Sequence, residues 1–283
     1  MKISHKIKSI LIKLCKRIGE TSPILINWSE MYDLKPSAQL LDTMRISKDL
    51  IPTNVDAPSN QDILILAPHP DDEVIGMGGT LIQMIQNNCR VKVLYITLSD
   101  DEALVKEATD ASKNVGYEIE FLGLEKRNIS LDTSALEKFA HKINMTNAKH
   151  LFIPFMLDDH DDHRRVSELL QKAYHQGLIE TKFCIWAYQV YTALPLNSVV
   201  DITNVISKKI EAIRYYRSQF KSRDWAHFAQ GLNAFNMRFL SGRNDASYAE
   251  VFFRASLKNY IKMCDSYFGH NSGSCYELQS YKN

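Results

Sequence analysis

One stretch limits what this chain can fold into more than any other: Ile63-Leu-Ile-Leu-Ala-Pro-His69-Pro-Asp71-Asp72-Glu73-Val-Ile-Gly76-Met-Gly78-Gly79-Thr80. The apolar run Ile63 to Leu66 is short for a helix and reads as a buried strand, and the Pro and Gly residues beyond it stop that strand from continuing. His69, Asp71, Asp72 and Glu73 therefore gather where a strand ends. An imidazole and three carboxylates within five residues are costly to desolvate unless something positive sits among them. A divalent metal meets that need.

One short turn rarely aims three ligands at a common point, so the rest of such a site should come from elsewhere. His160-Asp161-Asp162-His163 follows a second strand-like run, Leu151 to Phe155. His69, Asp72 and His163 together make a two-His, one-carboxylate set, the ligand pattern of hydrolytic zinc with a fourth position left for water. The pairing of Ala-Pro-His-Pro-Asp-Asp-Glu at 67–73 with His-x-Asp-His at 160–163 resembles the PIG-L/LmbE-like family of zinc-dependent N-acetylglucosaminyl deacetylases, over residues 61 to 255. The resemblance implies a Rossmann-like domain, zinc as cofactor with iron as another divalent candidate, and an N-acetylated amino sugar as substrate. It carries the ligand roles onto His69, Asp72 and His163, the general base onto Asp71, and the acid or oxyanion donor onto His160.

At 283 residues, with 45% hydrophobic and 24% charged residues, the chain fits one large α/β domain with additions. Five scattered cysteines, at 15, 89, 184, 264 and 275, have no C-x-x-C spacing, so neither a disulfide framework nor a cysteine metal site is expected. A reducing cytoplasm is the expected compartment. The net charge of +1 hides an asymmetry, because residues 1–20 hold six basic residues against Glu20, a local +5 that leaves −4 for the remainder. The body therefore shows no basic stripe for nucleic acid. No apolar run approaches the roughly 20 residues that span a bilayer, and lysines interrupt the N-terminal apolar run that a signal peptide would need.

Ile3, Ile7, Ile10, Leu11, Leu14 and Ile18 fall on one helical face, with Lys2, Lys6, Lys13, Lys16 and Arg17 opposite. Such a helix packs on protein with its lysines in water, or lies on the inner face of an anionic membrane. Residues 21–60 hold Pro23, Pro36, Pro52 and Pro58 and no sustained period, with helical turns expected near Ala38 to Met44. The expected organisation is thus an N-terminal helix and extension over 1–60 and the deacetylase-like domain over 61–283.

From Asp62 onward strand-like and helix-like stretches alternate, which predicts βα units, a mainly parallel sheet with helices on both faces, and a site at the carboxyl ends of its strands. Strands are expected near 62–67, 90–98, 118–122, 150–155 and 184–191. Helices are expected near 77–87, 102–115, 133–146, 164–176 and 203–220. Gly76, Gly78 and Gly79 would let the chain turn and bring the next helix close to the sheet.

A carboxylate beside an activated water supplies the base for amide hydrolysis, and the leaving amine needs a proton. Asp162 is a candidate to orient a histidine, and Glu73 to brace His69 or the turn, or to cap the first turn of the following helix. Asp158, Asp159 and Asp161 are expected mainly to solvate the second loop, with Asp161 loosening its turn where relatives carry Pro. Arg238, Arg243 and Glu250 are weighed as substrate contacts against local pairing, which their residue types favour. Relatives commonly carry Arg three residues before the position of Glu107, where this chain has Leu104, so the substrate is left open. The alternatives are a zinc hydrolase of another amide and a non-catalytic, metal-stabilised sugar-binding protein. The carboxylate of Asp71 speaks for an enzyme.

Overall fold

The computed structural model describes residues 52–98, 101–180 and 183–269. The helix expected over the basic N-terminal residues, the turns expected near Ala38 to Met44, and Ser99 and Asp100 of the loop after the second expected strand lie outside them. Among the described residues, eight strands form one sheet: β1 Thr53–Asn54, β2 Asp62–Ala67, β3 Arg90–Thr97, β4 Glu118–Leu124, β5 His150–Pro154, β6 Cys184–Tyr188, β7 Ser198–Asp201 and β8 Ala249–Ser256. The order is β1-β7-β8-β6-β5-β2-β3-β4, parallel except where β8 runs against β6 and β7. Thr53 and Asn54 pair with Ser198 and Val199, so the extension expected to end at residue 60 contains an edge strand of the sheet.

Among the described residues, seven α-helices cover both faces: α1 Asp72–Gln86, α2 Glu102–Val115, α3 Thr133–Asn144, α4 Asp161–His175, α5 Ile206–Arg214, α6 Trp225–Asn236 and α7 Leu257–Phe268. Successive strand residues point to opposite faces, and both faces here are packed. Leu64 and Leu66 of β2 join Phe139 of α3, Leu169 of α4 and Tyr260 of α7 in one core. Ile63, Ile65 and Ala67 join Val74 of α1, Ala108 of α2, Ile213 of α5 and Ala226 of α6 in the other. A strand buried on both sides reads as a continuous apolar run, which is why β2 and β5 stand out in the sequence. The short β7, and β8 with Glu250 inside it, do not.

Two expectations change in α1. The helix starts at Asp72 instead of Met77, and the glycines lie inside it. A Cβ on Gly76 would lie 2.6 Å from the Tyr188 ring, and one on Gly79 would lie 2.7 Å from Ile202, so these glycines serve close packing. The helix breaks at Met77 (φ −144°, ψ 22°). The N–H groups of Gly79 and Thr80 donate to the buried Glu250 carboxylate at 2.8 and 2.7 Å, so Glu250 caps the second half of α1 from across the sheet. Lys209 of α5 donates to Glu250 at 2.7 Å and to Asn233 at 2.8 Å.

The chain leaves β2 toward β3 and β4 on one side, while β5 and β6 lie on the other, so the sheet order switches between β2 and β5. These two strands are hydrogen-bonded neighbours, with Ile63 opposite His150. Ligands of open α/β sheets gather outside the carboxyl ends at such a switch, and both histidine motifs follow directly from these strands.

Candidate metal centre

The loop after β2 is tied down at once: Pro68 O accepts hydrogen bonds from Thr97 N at 3.1 Å and Thr97 Oγ1 at 2.8 Å. Asp72 opens α1, and its Oδ2 accepts the His69 N–H at 2.9 Å. The same Oδ2 lies 3.2 Å from His69 Nδ1 and 3.2 Å from His163 Nε2, which arrives from the first turn of α4. One ligand atom from each of His69, Asp72 and His163 falls within 4.8 Å of the others, and all three residues are buried.

Each imidazole is turned toward Asp72 by a second carboxylate. His69 Nε2 is 2.7 Å from Asp162 Oδ2, so a proton there leaves the Nδ1 lone pair facing Asp72. His163 Nδ1 is 2.9 Å from Asp158 Oδ1, which leaves Nε2 facing Asp72. Asp158, expected only to solvate the loop, is 1% exposed and also accepts the N–H groups of His160 and Tyr191 at 3.1 and 3.0 Å. Asp162 is held in turn by Arg127 N, 3.1 Å from both its oxygens, and Arg127 takes a positive φ of 62° to make that contact. A second trio, His69, His160 and Asp162, also falls within reach of a common point, but there His69 Nε2 is already hydrogen-bonded to Asp162.

The donors fit a divalent metal. Asp72 Oδ1 is buried with no hydrogen-bond partner, and neither His163 nitrogen has hydrogen-bond alignment despite its close carboxylates. Buried polar atoms are rarely left so. Burial drives Asp72 up, but the close approach of His163, then of His69, outweighs it and holds the carboxyl well below the usual range. Burial likewise drives His163 down, and Asp72 and Asp158 overcome it, raising the ring to about 10. A metal in place of that proton would leave the histidine neutral and the carboxylates compensated.

Asp71 is 8% exposed and sits at φ 113°, a region strained for any residue with a side chain. Burial first, then Asp72 and Glu73, push its carboxyl well up, against the weaker pull of His163 and Lys126. His160 caps α4, its Nδ1 accepting the Asp162 N–H at 3.1 Å. Burial first, then His163 and His69, lower it to about 4. This environment favours a neutral His160 ring, with Nδ1 as acceptor of the Asp162 N–H and Nε2 left to carry the proton.

Other expectations resolve locally. Asp161 is the first residue of α4 and pairs with Arg164, a helix-start position that suits a carboxylate as well as Pro. Glu73 does not touch His69: one oxygen meets Tyr95, Tyr117 and Tyr216, and the other accepts the Asp71 N–H, so of its expected roles it takes the bracing of the turn. Arg238 packs on the rings of Phe235 and Phe239 at 4.0 and 4.4 Å, and Arg243 pairs with Asp201 at 3.1 Å. Leu104 is buried in the core, and Glu107 accepts hydrogen bonds from Ser218. Tyr191, stacked on His163 at 5.2 Å and followed by Trp225 at 5.7 Å, forms an aromatic wall that no periodicity announces. A polar groove of about 690 Å³ between residues 54–59, α1 and β7 is lined in part by Asp201 and Arg243 and holds no residue of the candidate metal centre.

Residues 64–174 match the family model described as PIG-L: GlcNAc-PI de-N-acetylase. The chain is 24% identical over 198 residues to diacetylchitobiose deacetylase of Thermococcus kodakarensis, covering 58% of this chain and 72% of that protein. Its fold is similar to that of N,N′-diacetylchitobiose deacetylase from Pyrococcus horikoshii, with a TM-score of 0.58 at 20% identity, covering 84% of this chain and 96% of that one. It is also similar to 4-carboxy-2-hydroxymuconate hydratase from Pseudomonas putida, with a TM-score of 0.57 at 18% identity, covering 69% and 96%. A deacetylase and a hydratase share this architecture, so the fold alone does not fix the reaction. The His69, Asp72 and His163 trio lies inside residues 64–174, the part of the chain that is similar to the PIG-L family model.

Proposed function

We propose that the protein is a zinc-dependent hydrolase that removes the N-acetyl group from an N-acetylglucosamine-containing substrate. The observation that carries this reading is the buried trio His69, Asp72 and His163 with the Asp71 carboxylate next to it in sequence, set at the sheet's switch point within the part similar to the PIG-L family model. Zinc held by the trio would polarise the acetamide carbonyl and acidify a water. Asp71 accepts the proton of the attacking water, and the burial that raises its affinity for protons makes it a stronger base than an exposed carboxylate. His160 offers its Nε2–H to the carbonyl oxygen as negative charge gathers there. A neutral ring with Nδ1 already accepting a backbone N–H is a poor proton source, so the proton taken by Asp71 is the one returned to the leaving amine. Asp158 and Asp162 keep the two imidazoles in register.

A second reading, hydrolysis of a different amide, is favoured by one observation: Leu104 is packed in the core at the position where the family resemblance leads one to expect an Arg. Zinc-loaded protein incubated with N,N′-diacetylchitobiose, N-acetylglucosaminyl phospholipid and N-acetyl amino acids separates the two. Acetate release from the sugars, abolished by a chelator, is expected, and release from the amino acids alone would replace the first reading by the second.

A further inference from the structure

Of the four polar residues in the first motif, Glu73 is the one that the proposed chemistry leaves without a task. It is fully buried beside Asp72. Its Oε1 accepts hydrogen bonds from Tyr95 at 2.7 Å, Tyr117 at 2.8 Å and Tyr216 at 2.7 Å. Those phenols come from β3, from the residue before β4 and from the turn after α5, and each is itself buried. The other oxygen, Oε2, accepts the N–H of Asp71 at 3.2 Å. Asp71 is the residue whose backbone is held at φ 113°. Non-glycine residues stay in such a region only where their surroundings over-determine it.

The choice of partners has a physical logic. A Lys or Arg facing Glu73 would put a cation next to Asp72 and compete with a metal for it. Three hydroxyls fix the carboxylate by charge-assisted hydrogen bonds and add no net charge. The Tyr95 and Tyr216 hydroxyls lie 3.2 Å apart, as two donors converging on one carboxylate oxygen do.

We propose that Glu73, locked by the three tyrosine hydroxyls, is a positioning residue that straps the Asp71 backbone into its strained conformation and so aims the Asp71 carboxylate at the reacting water. This rests on Asp71 being the base. The strap acts on the carboxylate that moves the proton and not on the metal ligands, which separates it from a general structural role.

The test uses full-length zinc-loaded protein carrying Glu73→Ala, Glu73→Gln, or Tyr95→Phe with Tyr216→Phe. Three readouts are taken: zinc per chain, hydrogen exchange of the Asp71 amide by NMR, and the kinetics of acetate release from N,N′-diacetylchitobiose. Glu73→Ala should keep its zinc, speed Asp71 exchange by at least about tenfold, and lower kcat by about 10- to 100-fold with KM within about twofold. The double Phe variant should move the same way by less, and it serves if Glu73→Ala does not fold. Glu73→Gln should recover most of kcat, because its amide oxygen can still accept the Asp71 N–H while its NH2 turns to the phenol oxygens. Unchanged Asp71 exchange, or a kcat loss matched by zinc loss, overturns the strap. If the wild-type protein releases no acetate, the functional reading fails, and the exchange rate alone then decides whether Glu73 holds Asp71.

Discussion

The molecule buries charge in two places, and they are built on opposite terms. At Lys209 and Glu250 both side chains are fully buried, both Glu250 oxygens accept backbone N–H groups of α1, and the ammonium reaches Glu250 and Asn233. Burial pulls the Lys209 ammonium down and Glu250 pulls it back, but every charge has geometry to match. At His69, Asp72 and His163 the charges are as deeply buried, yet Asp72 Oδ1 has no partner and the His163 contacts lack alignment. A satisfied cluster joins parts of the fold, here α1, α5 and β8. An unsatisfied one is costly to keep without a ligand. The difference separates the structural ion pair from the candidate metal centre without reference to any relative.

The largest effect expected from this contrast is at Asp72. Asp72→Ala should lose bound zinc and all measurable turnover while retaining the far-UV circular dichroism of the wild type. Retained zinc would place Asp72 with the structural carboxylates. Lys209→Ala should do the reverse. It strands a buried carboxylate, so chemical denaturation should show about 3–5 kcal/mol lost, with zinc per folded chain unchanged. A stability loss under about 1 kcal/mol would mean that the pair does not anchor α1.

The third expectation concerns protons. His163 is raised to about 10 in the metal-free protein, so it is protonated at neutral pH and must give up that proton to bind zinc. Zinc affinity should therefore climb with pH by up to about tenfold per unit while pH stays below that value, and the dependence should flatten above it. The same raised value stabilises the metal-free fold below the imidazole's ordinary pKa, and that contribution fades as pH rises toward about 10. Competition with a chromophoric chelator from pH 6 to 8 measures the affinity, and a flat profile would show that His163 is already neutral. The smallest effect is at the surface: Arg243→Ala breaks a pair with Asp201 whose arginine is half exposed, and it should cost no more than about 1 kcal/mol. A clear rise in KM for the sugar would instead return Arg243 to the list of substrate contacts.

How far each of these regions can be read from the sequence follows from distance along the chain. β2 and β5 are legible because strands buried on both faces become apolar runs, and the residues of the metal centre are legible because each group sits within a few positions of its strand. Their convergence depends on β2 and β5 being neighbours, which the βα alternation and the switch-point rule make reasonable. The structural pair is different. Glu250 reaches N–H groups 170 and 171 residues away, and Lys209 lies 41 residues before it. Glu73 likewise meets tyrosines 22, 44 and 143 positions distant. In the second loop Asp158, Asp159 and Asp161 look alike in sequence. Only the path of the backbone turns Asp158 inward onto His163, while Asp161 starts a helix.

The central claim is that adjacent carboxylates do separate work, Asp72 holding the metal and Asp71 moving the proton. Asp71→Asn tests it most directly, with zinc content and acetate release measured on the same preparation. Zinc should stay at the wild-type level while turnover falls by about 100- to 10,000-fold, the range for losing a general base. Loss of zinc from this variant, or turnover close to that of the wild type, would contradict the account.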